Sequence, residues 1–171
     1  MDNELKYGSA EDWSHGGART LVRLHEENLR SFLASWKRAK AVGVSLPKTD
    51  DRAYASMEAL LFHMLRAARG YFGGLCAMLE IVPPALPDPP IPDPAVDPSS
   101  VGPVEAGAQA FLDELLHAYR VTFRGATEKE FYHRTGEAPW KVVYCVDAMF
   151  EHAVMHPIRH SLQLDDLMAK A

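Results

Sequence analysis

The chain has 171 residues, 47% of them hydrophobic, enough for one domain with a substantial core and no need of a second. Eighteen basic residues against 23 acidic ones leave a formal net charge of −5, and with no basic cluster this argues against nucleic acid or an anionic membrane as a partner. Two distant cysteines, Cys76 and Cys145, make neither a disulfide framework nor a cysteine metal site, and no apolar run approaches the roughly 20 residues of a membrane span.

In chain order, residues 1–16 read as a polar, lightly packed arm with acids where a signal peptide carries basic residues, so a soluble cytoplasmic protein is expected. Residues 17–41 predict a first helix, because Val22, Leu29, Phe32, Leu33 and Trp36 recur at steps of three and four, with Gly43 as the stop. His25 lies in this stripe and reads as a buried, hydrogen-bonded histidine or as a group lining a site. Residues 51–79 predict a second helix with Asp50 or Asp51 as N-cap and a broad apolar face around His63. Gly70, Gly73 and Gly74 weaken its last turns or admit another helix closely. Arg66 and Arg69 read as surface charges, one of which could hold a substrate carboxylate.

Residues 83–103 carry nine prolines and predict an extended connector that carries the chain along the bundle. A third helix follows over 104–124, a long loop with a short helical turn over 125–140, and a fourth helix over 141–169. The predicted class is all-α, a single four-helix-bundle domain.

The fourth helix reads EHAVMHPIRHSLQL. His152, His156 and His160 stand four apart and Gln163 follows, all within roughly an 80° arc. Two histidines at i and i+4 can converge on one ion, whereas His152 and His160 are about 12 Å apart along the axis and cannot share it. The pair is therefore His152 with His156 or His156 with His160, and the third ligand comes from another helix, with His63 the candidate. Pro157 sits inside the stripe, where it removes a backbone N–H and predicts a kink that either tilts His156 inward or spoils the clamp. A bundle without metal is the reading that Pro157 supports. Two ExxH matches, Glu114/His117 and Glu130/His133, have the spacing of a di-iron carboxylate bundle, but such a site needs the two motifs on separate long helices and the second falls in the predicted loop.

LLFHMLRAARGYF at 60–72 resembles the second helix of the DinB/YfiT-like family, and MFEHAVMHPIRHSLQL at 149–164 resembles its last helix with an HxxxHxxQ signature. The resemblance implies His63, His156 and His160 as ligands of one divalent metal ion, with Gln163 and His152 around them. Imidazole suits zinc, nickel, iron and copper alike, with zinc or nickel expected here. The family is related to bacillithiol- and mycothiol-dependent transferases, which implies a homodimer that activates a low-molecular-weight thiol for transfer to a small-molecule electrophile. His25 and His152 are then the candidate proton carriers. The alternative is a non-catalytic, metal-binding or stress-related dimeric module.

Overall fold

A computed structural model of the protein describes residues 6–86, 88 and 104–170. Among these the fold is mainly helical. Helix α1 spans Gly16–Ala41, α2 Met57–Met78, α3 Val104–Phe123, α4 Glu128–His133 and α5 Val146–Met168. Two short strands, β1 (Thr135–Glu137) and β2 (Val143–Cys145), form an antiparallel hairpin in the register Thr135↔Cys145 and Glu137↔Val143. No described helix is long and apolar enough to cross a membrane.

The helix ends follow local chemistry. Gly43 takes φ +71°, and its N–H and that of Val44 bond to the Lys40 and Ala39 carbonyls, so the left-handed glycine turns the last carbonyls of α1 inward. Ser56 rather than Asp50 or Asp51 caps α2, its hydroxyl accepting from Ala59 N at 3.0 Å. Asp51 instead caps a short 3₁₀ turn, Arg52–Tyr54, which occupies what the sequence predicts as the first turn of helix 2. The predicted loop at 125–140 holds α4 and β1, and β2 takes up residues 143–145 of the predicted fourth helix, so α5 begins at Val146 rather than 141. Strands of three residues are too short to show a period-two pattern. The proline-rich connector lies outside the described residues except at 83–86 and 88, which form neither helix nor strand.

Helix α5 packs most extensively on α1, and α2 packs on α3 and α5. The shared core is aromatic: Phe72, Tyr119, Phe123 and Phe150 lie 5.0–5.6 Å apart by ring centroids, in tilted and edge-on pairs. Tyr119 also donates its hydroxyl to the Ala68 carbonyl at 2.9 Å, tying α3 to α2.

Residues 6–15 of the expected lightly packed arm are docked, and residues 1–5 lie outside the described residues. Tyr7 and Trp13 are buried, and Trp13 Nε1 donates to the Tyr7 carbonyl at 2.7 Å. The anchor is Glu26, buried on α1. Its carboxylate accepts from Lys6, from Tyr7 Oη at 2.9 Å, from Arg30 at 2.9 Å and from Arg120 at 2.5 Å. Burial alone would raise the Glu26 pKa, but the hydrogen bonds from Lys6, Arg30 and Tyr7 and the Arg120 charge outweigh it and hold it at about 2. Because the folded value lies below the ordinary 4.5, the stability this carboxylate contributes is complete above 4.5 and is lost as pH falls toward 2. Glu26→Gln is expected to cost about 3 kcal/mol near neutrality, since it leaves buried cations without their charge partner. Urea titrations over this acid range should show a stability loss in the parent that is blunted in the variant. Equal acid sensitivity would remove Glu26 as its source.

Candidate metal centre

Helices α2 and α5 run antiparallel along a cavity of about 1030 Å³, in which His63 faces His156 and His160, and Tyr71 faces His152 and His156. The cavity follows one face of each helix. On α2 that face runs from His63 through Tyr71 to Met78, and on α5 from Gln163 back through His156 to Met149. The hairpin closes one end. Gly136 allows this approach, because a Cβ there would fall 2.6 Å from Met78 Cγ.

His63, His156 and His160 meet at their Nε2 atoms. His63 and His156 are 3.1 Å apart there, His156 and His160 are also 3.1 Å apart, and the three ligand atoms lie within 4.8 Å of one another. This is the His156–His160 alternative of the two i, i+4 pairs. Two nitrogens bound at about 2.1 Å with an angle of 90–109° at the metal stand roughly 3.0–3.4 Å apart, so the spacing suits a shared ion. Hydrogen bonding alone satisfies the cluster poorly. An imidazole nitrogen carries one proton or one lone pair, so His156 Nε2 cannot donate to one neighbour while accepting from the other. Among the described residues this is the one group of histidine, cysteine and carboxylate side chains arranged to hold an ion.

The surroundings keep the three rings uncharged, which is the form that binds metal. Burial, followed by the charges that His160 and His63 would carry, lowers His156 to about 3. Burial and the His63 charge lower His160 to about 4, and burial lowers His63.

Gln163 reaches the site through a residue that the sequence reading did not single out. Tyr54 Oη donates to Gln163 Oε1 at 2.6 Å and stands 3.2 Å from His160 Nδ1. With its proton committed to Gln163, Tyr54 accepts from Nδ1–H, and the His160 lone pair is left on Nε2, facing the cluster. Tyr54 sits in the 3₁₀ turn before α2, 106 residues from His160. A tyrosine two residues before an N-cap carries no sequence signal for this role.

Pro157 does not spoil the clamp: α5 is helical through it, and His156 and His160 remain in contact. Its missing N–H leaves the Ala153 carbonyl without an α-helical partner. His25 lies beside that gap. The ring is buried against Tyr119 and Phe150, at 4.9 and 6.0 Å between centroids, and burial lowers it to about 3 against a smaller opposing effect of the Ala153 backbone. Neither ring nitrogen has a hydrogen-bond partner among the described residues. His25 is absent from the cavity wall, so the structure puts it in the core. His152 does line the cavity, stacked on Trp140 at 5.0 Å with 27° between the rings. Arg69 pairs with Asp88 at 3.1 Å, whereas Arg66 lines the cavity together with Arg159, which the sequence reading passed over. No described helix comes close at Gly70, Gly73 or Gly74: a Cβ at any of them meets nothing within 4 Å among the described residues. Glu114 and His117 are exposed on α3, and Glu130 is engaged in the capping box of α4.

Two outcomes are expected. Tyr54→Phe should weaken metal affinity at least tenfold by freeing the His160 tautomer, as competition with a chelator would read; unchanged affinity removes Tyr54 from the site. His25→Phe should cost about 1 kcal/mol in the parent and clearly less in a Pro157→Ala background, where residue 157 regains its N–H. Equal costs in both backgrounds would mean that His25 and the Ala153 carbonyl are not coupled.

No protein-family model, curated protein or solved structure matches this chain, so what the site does is argued from its geometry.

Proposed function

We propose that the chain is a DinB/YfiT-like four-helix bundle in which His63, His156 and His160 hold one divalent metal ion, zinc or nickel, and that it is a metal- and thiol-dependent transferase acting on a small molecule. The observation that carries the reading is the convergence of three imidazole nitrogens on the wall of a cavity large enough for a substrate. Three protein ligands are one fewer than a closed structural zinc site uses, which favours a working site over a purely structural one. A divalent ion there would supply Lewis acidity and lower the pKa of a thiol or water that reaches it.

The chain's own residues have separable parts in this reading. Tyr54 and Gln163 orient His160. His152 is the imidazole of the cavity wall outside the ligand set, its pKa lowered by burial and by the Arg159 charge, and it is the proton carrier of the proposal. His25, off the cavity, has a packing role. The proposed assembly is a homodimer.

Elemental analysis of tag-free protein tests the reading. About one equivalent of zinc or nickel is expected in the parent and in His152→Ala, and none in His160→Ala. Cobalt-substituted protein should develop a charge-transfer absorption when a low-molecular-weight thiol is added. Full metal content with no such absorption across several thiols would favour the non-catalytic metal-binding module. A parent that takes up neither zinc nor nickel would end both readings.

A further inference from the structure

The groove between α2 and α5 differs at its two ends. At the histidine end it is lined by Arg66 and Arg159, two exposed guanidinium groups that make no ion pair among the described residues. Most of the described arginines elsewhere are paired: Arg23, Arg30, Arg38, Arg69, Arg120 and Arg134 each reach a carboxylate within 4.0 Å. Arg159 immediately precedes His160 on α5 and lines the same cavity as the three histidines. Asp51, the one acid on the cavity wall at this end, turns an oxygen back to Ala53 N at 2.9 Å. Two cations facing a cavity in a chain of net charge −5 are not explained by solubility.

The other end is mostly apolar. Gly70, Gly74 and Ala77 form its floor on α2, and Met78, Met149 and Trp140 its walls, while Glu137 of the hairpin, which also lines it, is paired with Lys141 at 2.8 Å. A glycine inside a helix costs about 1 kcal/mol relative to alanine, and among the described residues nothing packs against Gly70 or Gly74 to require one. What the missing side chains leave is room, beginning beyond His63 and reaching roughly 16 Å along α2 at Gly74.

We propose that the groove binds a small organic carboxylate with an apolar body. Arg66 and Arg159 hold the carboxylate beside the three histidines, and the body lies along the glycine floor toward Met78 and Trp140. A planar guanidinium matches a carboxylate with two parallel hydrogen bonds, which a neutral amide cannot replace. The proposal deepens the metal-site reading and rests on it for what the carboxylate is placed beside, whereas binding itself depends on the arginines and the floor.

Calorimetric titration with 4-phenylbutyrate and its neutral amide tests this, on metal-loaded and on chelator-treated protein, with metal content measured on every sample. The acid should bind at least tenfold more tightly than the amide. The Arg66→Gln/Arg159→Gln variant should lose that preference, and Gly74→Phe should lose binding of both compounds, with helicity and metal content unchanged. Equal binding of acid and amide, an arginine variant that keeps the preference, or no heat from the acid would each overturn the proposal while leaving the metal site standing. An arginine-dependent preference in a parent that takes up no metal would instead sink the metal reading and leave this one intact.

Discussion

Helix α5 has to satisfy two faces at once, and the rest of the site follows from how it does so. Its apolar side, with Val146, Phe150, Ala153 and Leu164, is buried, and its broadest packing is on α1. Burying that side fixes the rotation of the helix about its axis. With 3.6 residues per turn, the stripe of Met149, His152, His156 and Gln163 is then turned into the cavity facing α2. The site is in this sense a consequence of core packing. Pro157 belongs to the buried side, where its ring fills core space, and the carbonyl it leaves unpaired lies toward His25 rather than toward the cavity.

The cluster sets stability against chemistry. Three imidazoles packed together with no carboxylate among them gain little from one another as hydrogen-bond partners, and burial opposes charging any of them. A divalent ion would resolve this conflict, because it would take up all three lone pairs and bring the charge that burial opposes on the rings themselves. Tyr54 and Gln163 contribute direction: they hold one ring in the tautomer whose lone pair faces its neighbours.

Charge is distributed with the same economy. Glu26 gathers Lys6, Arg30 and Arg120 into one buried knot that docks the segment before α1 and ties α1 to α3, where Arg30 also reaches Asp113 at 2.7 Å. Structural cations are thereby neutralised within the fold, and those at the mouth of the groove keep their field for whatever enters it.

Much of the helical framework was legible in the sequence. The apolar period marks α1 and α3 to within a residue of their observed ends, because an amphipathic helix records its buried face in its spacing. The three histidines were readable for the same reason: i, i+4 spacing puts them on one face of α5, and His63 stands on the inward face of α2. Spacing alone could not choose between His152–His156 and His156–His160, since both pairs are equally well placed along the helix. That choice depends on what faces each ring: His63 across from His156 and His160, and Trp140 stacked on His152. Tyr54, Arg159 and the hairpin were equally silent, because their roles rest on contacts between segments far apart in the chain. Local periodicity reports which face a helix buries, whereas the identity of the group buried against it is decided only when the elements pack.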